Sequence, residues 1–229
     1  MRVRGRRRVR IWVFAAGLLL ALALFAGGMA LAASQTIVGQ ADNTYTASTY
    51  TADQGEVVQF QVTGSTHNVT AHQNGPDGKA LFRTPTISGG STGVQGTQYL
   101  SAGTYTFFCS VHPSTMQATL VVTGNGTPQP RPAATLSVRS KKISKVAKRG
   151  LQVAINASTK IDDVSLIAKL GNATIGKADG LSLFSGQQVQ VLKLTKSGKS
   201  KLARKSKARV TVTADIPFGS PASAKAKLS

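Results

Sequence analysis

Cysteine, histidine and acidic residues are scarce in this chain of 229 residues, which contains one cysteine, three histidines and eight acidic residues. A single thiol cannot form an intramolecular disulfide, so a disulfide-stapled fold is excluded. Residues 134–229 have no cysteine, histidine, tryptophan or tyrosine at all. A thiolate or imidazole metal site and an aromatic recognition face are therefore not expected in that part of the chain.

Basic residues are abundant but unevenly placed. The formal net charge is +20, yet residues 34–123 hold two basic residues against four acidic ones, whereas residues 134–229 hold nineteen against four. The change falls at residues 124–133, a stretch rich in glycine and proline that is typical of a linker. The sequence predicts two domains, at residues 34–123 and 134–229, each long enough to bury its own core.

The first 33 residues combine a basic start with a long apolar run. Six arginines precede the run at residues 11–33, and Ala30-Leu31-Ala32 suits cleavage by a signal peptidase. Because the run approaches the roughly 20 residues that span a bilayer, an uncleaved N-terminal membrane anchor is the alternative to a signal peptide. Both interpretations predict an exported protein, extracellular, on the cell surface or periplasmic.

Alternating apolar and polar residues predict short strands in residues 34–123. Val58, Phe60 and Val62 share one face of a strand, and Gln59 and Gln61 share the other, as a half-buried antiparallel strand requires. Residues 103–108 and 119–122 are rich in aromatic and β-branched residues. Short strands between turn signals, without a helical period, predict an all-β sandwich.

Four candidate metal ligands lie in two segments of this domain. Cys109, His112 and Met116 lie between two predicted strands, and His67 lies about forty residues upstream. One thiolate, two imidazoles and one thioether form the ligand set of a mononuclear electron-transfer copper site. Cys109 ends a strand and His112 lies one turn further on, so both can converge on one point while His67 approaches from a neighbouring strand.

This pattern resembles the cupredoxins, the blue-copper family of the plastocyanin and amicyanin type. The matching residues, within 36–123, are Asp53-x-Gly55-Glu56-x-Val58, His67-Asn68-Val69 and Tyr105-x-Phe107-x-Cys109-x-x-His112-Pro113, followed by a methionine. The resemblance implies an eight-stranded Greek-key sandwich with one type 1 copper ion per chain, held by His67, Cys109, His112 and, weakly, Met116. It also implies that the Asn68 side chain ties the two ligand loops together.

The axial position departs from the family pattern. Three residues separate His112 from Met116, where the family commonly has two or four, so Gln117 is an alternative axial donor. His72 falls on the opposite face of an extended strand from His67 and is expected at the surface. The candidates for apolar surroundings of the metal are Phe82, Pro85, Phe107, Phe108 and Pro113.

Residues 134–229 predict a second, Ig-like antiparallel sandwich. Apolar residues recur at every second position within 151–155, 164–170, 189–191 and 210–216. The lysine-rich run at 196–207 predicts a short helical turn in a connection. The domain is similar to the basic Ig-like modules of exported bacterial proteins, without a diagnostic motif.

The basic charge of this second domain predicts adhesion to an anionic surface. Summed Coulomb attraction would hold it to wall polymers or lipid headgroups, and the alternative is that the lysines only solvate a β-surface. A nucleic-acid partner would suit the basic charge, but it does not suit a protein that is predicted to be exported. No nucleic-acid partner is therefore expected.

Three functions fit the sequence. The first is an exported type 1 copper protein that carries single electrons between redox partner proteins at the cell surface. The second is a copper-binding or copper-delivery protein, and the third is an adhesion protein that uses the cupredoxin fold as a scaffold. No enzyme activity is expected: multicopper oxidases need many histidines in His-x-His pairs, and this chain has three histidines and no such pair.

Overall fold

The computed structural model describes residues 35–229, which form two β-sandwiches in succession. The all-β prediction is confirmed. The predicted signal peptide or anchor at residues 1–33 lies outside the described residues. Within residues 35–229, no helix has both the length and the apolar composition needed to cross a membrane.

The first module, residues 35–126, contains seven strands in two sheets among its described residues. One sheet has the order β1 (Ile37–Gly39), β3 (Gln59–Val62), β5 (Gly90–Gly93). The other has the order β2 (Thr49–Gln54), β7 (Gln117–Gly126), β6 (Gly103–Phe108), β4 (Thr70–Ala71). The β1–β3 and β2–β7 pairs are parallel and the others antiparallel. A 3₁₀ helix at Thr97–Tyr99 precedes β6.

The core of the first module follows the predicted alternation. Phe60 and Val62 of β3 are buried, and Gln59 and Gln61 between them are exposed. Phe107 of β6 is fully buried, and its ring lies 5.1 Å from that of Tyr45 and 6.1 Å from that of Phe82, measured between centroids. This packing holds β6 and β7 in place next to the loop that joins them.

The second module, residues 134–229, is antiparallel throughout its described strand pairs. One sheet has the order β12 (Gly186–Leu192), β9 (Leu151–Ala157), β8 (Ala134–Val138). The other has the order β11 (Ala173–Leu183), β10 (Ile161–Leu170), β13 (Ala208–Asp215), β14 (Ala222–Leu228). Helix α2 (Lys196–Ala203) is the predicted helical turn, whereas α1 (Ile143–Arg149) was not predicted.

One predicted strand turns its valines outward. β12 forms where the alternation predicts a strand, but Val189 and Val191 are 41% and 50% exposed. Their neighbours Gln188 and Gln190 are half-buried instead. Alternation defines two faces of a strand, and packing decides which of them meets the core. β12 is an edge strand, so it has fewer neighbours to impose the apolar face.

The two modules belong to one compact unit and meet at Phe218, between β13 and β14. Its ring lies 4.0 Å from the Arg83 guanidinium carbon, measured to the ring centroid. Its N–H donates to Asp77 Oδ2 at 2.9 Å, and Arg131 Nη1 donates to its carbonyl oxygen at 3.1 Å. An ion pair between Lys79 and Asp215, 3.1 Å long, lies in the same region. We refer to these contacts as the Phe218 contact.

Candidate metal centre

The loop between β6 and β7 holds three of the four predicted ligands. Cys109 follows the last residue of β6, and Met116 precedes the first residue of β7. Three backbone hydrogen bonds close the loop: Cys109 N–H to Met116 O at 3.0 Å, His112 N–H to Cys109 O at 3.1 Å and Met116 N–H to His112 O at 3.0 Å. Cys109, His112 and Met116 are therefore held at one end of the first sandwich.

His67 reaches the same end from the segment before β4. Its backbone exchanges two hydrogen bonds with Ile87, of 3.0 and 2.9 Å. Its side chain is completely buried. The sequence separation of His67 from the loop is thus bridged by sheet pairing, because β4 pairs with β6 directly before Cys109.

Three donor atoms converge between these segments. Cys109 Sγ lies 3.9 Å from His67 Nδ1 and 3.9 Å from His112 Nδ1. The ligand atoms of the three residues all lie within 4.8 Å of one another. Cys109 and His67 are fully buried, and His112 is partly exposed. The group can bind one metal ion with a thiolate and two imidazoles, and one imidazole edge meets the surface.

A backbone carbonyl selects the His67 tautomer. His67 Nε2 lies 2.8 Å from the carbonyl oxygen of Gln40. A carbonyl oxygen can only accept, so Nε2 carries the hydrogen and Nδ1 keeps its lone pair. Nδ1 is the atom that faces Cys109. Gln40 was not predicted, because a backbone carbonyl leaves no mark in the sequence.

Of the two predicted axial candidates, Met116 is buried and Gln117 is exposed. A methyl group on Gly39 would lie 3.0 Å from His67 Cδ2 and 3.1 Å from Met116 Cε, so the end of the Met116 side chain lies beside the His67 ring. Gln117 instead donates from its amide nitrogen to the Pro113 carbonyl oxygen at 2.8 Å. The thioether, and not the amide, shares the buried space of the other donors.

Asn68 links the two ligand segments. Its amide nitrogen donates to Ser110 Oγ at 2.7 Å and to Thr86 Oγ1 at 3.1 Å, and its amide oxygen accepts from the Ser110 N–H at 2.8 Å. Its own N–H points to Cys109 Sγ at 3.5 Å. These bonds are the tie that the resemblance implies, since they join the residue after His67 to the residue after Cys109.

Tyr45 holds the same segment through a hydrogen bond to the backbone of Asn68. Burial, followed by Coulomb repulsion from Cys109, raises the pKa of Tyr45 far above its usual value. The phenol therefore stays protonated and donates to the Asn68 carbonyl oxygen at 2.7 Å. No local pattern marks this tyrosine, because its role depends on a partner 23 residues away.

The five residues predicted as apolar surroundings of the metal differ in burial. Phe82 and Phe107 are fully buried and Phe108 is partly buried. Pro85 and Pro113 are exposed. His72 is exposed, as predicted, and its ring stacks on Phe108 with 4.6 Å between centroids.

One hydrolase-like pattern occurs in the chain. Gly89-Gly90-Ser91-Thr92-Gly93 has the spacing of a Gly-x-Ser-x-Gly elbow. In hydrolases that elbow is a sharp turn from a strand into a helix. Here its last four residues are strand β5, which pairs with β3. The serine lies within a sheet, so the pattern does not form a nucleophile elbow.

Comparison with known proteins gives a family match that includes most of the first module. Residues 14–122 match the family model described as a cupredoxin-like domain. The first module is a cupredoxin-like domain. Similar solved structures include a reduced mutant of amicyanin with tryptophan replaced by tyrosine, at 26% identity and a TM-score of 0.31, covering 38% of this chain and 81% of that one. An oxidized proline-to-glycine mutant of amicyanin has 25% identity and a TM-score of 0.30, with 44% and 87% coverage. No curated protein matches the chain.

The cofactor of this cupredoxin-like domain is a single copper ion. The residues present fit that ion, because a soft thiolate with two imidazoles and no carboxylate is a donor set that suits copper. The His67 tautomer leaves the correct nitrogen free for metal binding. Burial of Cys109 and His67 keeps water away from the strongest donors.

Proposed function

We propose that the protein is a one-electron carrier, with a type 1 copper ion bound by His67, Cys109, His112 and, weakly, Met116. The observation that carries this proposal is the convergence of Cys109 Sγ with the Nδ1 atoms of His67 and His112, at 3.9 Å each. Bound there, copper supplies reversible one-electron chemistry. The buried thioether of Met116 is placed to act as the weak fourth donor.

The ligand segments are held in position by hydrogen bonds of the protein itself, and this supports a role in electron transfer. Asn68, Tyr45 and Gln40 hold the ligand segments through hydrogen bonds that do not involve the metal. Ligands that are already in position need little rearrangement when the oxidation state changes. A dedicated electron carrier requires this property, and a substrate pocket is not needed. We therefore propose no catalytic activity.

The partly exposed ligand indicates where an electron would enter and leave. His112 is the ligand of the three that reaches the surface. Val111 beside it is 45% exposed. An apolar surface next to a ligand lets a redox partner approach without the cost of desolvating charged groups. We propose that redox partner proteins dock on this side of the first module.

Cyclic voltammetry of the copper-loaded full chain tests the proposal. We expect a reversible one-electron couple, and His112→Ala should abolish it or make it irreversible. His72→Ala, which removes a surface histidine outside the ligand group, serves as the control and should keep the couple. Tight Cu(I) binding without a reversible couple would assign the protein to copper delivery instead. Failure to bind copper would leave the cupredoxin-like domain as a scaffold.

We also propose that the protein is exported and attached to an anionic surface through its second module. The arginines and apolar run of residues 1–33 support export. The excess of nineteen basic over four acidic residues in 134–229 supports the attachment. Pull-down of the full chain with anionic wall material over a range of salt concentrations tests it, since such binding should weaken steeply as salt rises.

A further inference from the structure

The second module has one end near the first module and one end far from it. β13 runs from Ala208 to Asp215, and the Asp215 carboxylate pairs with Lys79 of the first module. The start of β13 therefore marks the far end. Leu228 pairs with Ala208 there, and the N–H groups of Ser229 and Ile143 bond to the carbonyl oxygens of Lys141 and Ser229 at 2.9 and 3.0 Å. These bonds place the loop around α1 at the same end.

Positive charge is concentrated at this far end. Of the nineteen lysines and arginines in residues 134–229, seventeen lie in residues 139–149, 193–209 and 225–227 or at Lys169. The other two, Lys160 and Lys177, pair with Asp162 and Asp179 at 2.8 and 3.0 Å. None of the four acidic residues of the module lies in those segments. We call these segments the cationic end.

Several basic residues of the cationic end lie at positions where their charge destabilises the folded state. Arg209 lies directly opposite Lys227 in the β13–β14 pair, and like charges across a sheet are destabilising. Lys142 is the N-cap of α1, and neither α1 nor α2 has an acidic residue in its first turn. Cations at a helix N-terminus oppose the helix dipole. A surface that only needed solvation would mix both signs of charge, so this arrangement indicates a binding role.

The surface there is grooved. A groove of about 330 Å³ is lined by Arg139, Lys141, Lys142, Lys145 and Arg149. A second depression is lined by Lys207, Arg209 and Lys227. The backbone bonds of Ser229 to the α1 loop place the two depressions next to each other. Together these adjacent depressions form a cationic track that offers N–H donors and is lined by no acidic side chain.

We propose that this track binds a linear polymer of phosphate groups, a partner that deepens the attachment proposed above and rests on it. Ammonium and guanidinium groups donate to phosphate oxygens, and several phosphates on one chain can occupy successive cations. A membrane surface fits less well, because membrane-bound segments insert aromatic and large apolar side chains. The two phenylalanines of residues 134–229, Phe184 and Phe218, both lie outside the cationic end.

Binding at the cationic end would leave the metal centre accessible. Met116 lies directly before β7 and Gly126 ends it, so the chain leaves the first module at the end opposite the ligand loop. Gln129 then bonds to the Gln98 carbonyl oxygen at 2.8 Å, beside the Phe218 contact. The cationic end lies on the far side of that contact. A protein attached to the polymer would present His112 to a redox partner.

Matched double variants of the copper-loaded full chain test this proposal. Lys142→Gln/Lys145→Gln removes two charges from the groove, and Lys160→Gln/Lys177→Gln removes two charges elsewhere in the module. The probe is long-chain inorganic polyphosphate, with affinity measured from low to high salt. We expect the slope of log affinity against log salt to fall by about 2 in the groove variant, roughly 1 per lysine. The control variant should keep the slope of the unmodified protein.

Three results would overturn the proposal. Equal losses in the two variants would show that net charge alone drives binding, without a defined track. Absence of polyphosphate binding by the unmodified protein would remove the partner. Tighter binding to phosphatidylglycerol vesicles than to polyphosphate, with phosphatidylcholine vesicles as the neutral control, would assign the cationic end to a membrane. The visible spectrum of each sample reports the copper site separately, so failure of this proposal and of the electron-carrier proposal can be told apart.

Discussion

At the residue scale, residues that are not themselves ligands help to hold the two ligand segments of the metal centre in place. Gln40 orients His67, and Asn68 joins the two ligand segments. Cys109, His67 and His112 were predictable because a thiolate and two imidazoles at family spacing form a recognisable motif, whereas the spacing of Met116 departs from that pattern. Gln40, Tyr45 and Gly39 were not predictable, since a backbone carbonyl, a long-range hydrogen bond and a close approach have no local pattern.

Loss of the Asn68 side chain should destabilise the metal-free protein. Asn68→Ala removes hydrogen bonds to Ser110 and Thr86 from a buried position. At about 1 kcal/mol per bond, we expect the free energy of unfolding of the metal-free protein to fall by roughly 2–3 kcal/mol in denaturant titrations. Asn156→Ala, at an exposed asparagine of β9, is the control and should change it by less than about 0.5 kcal/mol. Similar losses in both variants would remove the structural role of Asn68.

Replacement of the axial thioether should change the reduction potential. Met116→Leu keeps a buried side chain of similar size but removes the sulfur, and loss of a weak donor disfavours Cu(II) more than Cu(I). We expect a higher potential, measured by voltammetry, with the visible band retained. Gln117→Leu changes an exposed neighbour and should leave the potential unchanged. A shift in the Gln117 variant but not in the Met116 variant would transfer the axial role to Gln117.

At the scale of strands and helices, alternation predicted where strands form better than which way they face. β3, β9, β10 and β13 bury the predicted apolar positions, except that Leu170 at the end of β10 is only partly buried. β12 does not, because an edge strand packs against fewer neighbours. Helix α1 was missed since it has only two buried residues, Ile143 and Val146, and its N-cap Lys142 makes no side-chain cap bond. Neither a helical period nor a start signal was present.

Threonine substitutions should distinguish the two faces of this sheet. Val189→Thr in β12 replaces an exposed side chain, so the free energy of unfolding should change by less than about 0.5 kcal/mol. Val153→Thr in the neighbouring strand β9 buries a hydroxyl group at a fully buried position, and we expect a loss of about 1–3 kcal/mol. Chemical denaturation measures both. A larger loss at Val189 than at Val153 would show that β12 packs with its valines inward.

At the scale of the whole molecule, the Phe218 contact joins two modules of different charge. Phe218 itself adopts a φ of +60°, which non-glycine residues seldom do, and hydrogen bonds to Asp77 and Arg131 hold its backbone. Burial opposes ionisation of Asp77, but hydrogen bonds from the Phe218 N–H, the Arg83 guanidinium and the Lys79 N–H hold the pKa of its carboxyl below 3.8. The sequence could not predict this contact, because the residues that it joins are 87 or more positions apart.

Acid should weaken the Phe218 contact through Asp77. A carboxyl whose pKa is lower in the folded state stabilises the fold fully above its ordinary pKa of 3.8, and loses that contribution as the pH falls through the lowered value. The free energy of unfolding of the unmodified protein should therefore exceed that of Asp77→Asn by roughly the same amount at every pH from 5 to 7. The difference should shrink below pH 4 or so. A difference that grows on acidification would contradict this account.

The visible absorption spectrum of the copper-loaded full chain, recorded beside that of Cys109→Ser, tests the central claim most directly. A thiolate bonded to Cu(II) gives an intense charge-transfer band, which a serine hydroxyl cannot replace. We predict an intense visible band with one copper ion per chain in the unmodified protein, and loss of that band in a Cys109→Ser variant that remains folded by circular dichroism. A copper-loaded protein without the band, or a Cys109→Ser variant that keeps it, would contradict the assignment of a type 1 copper centre.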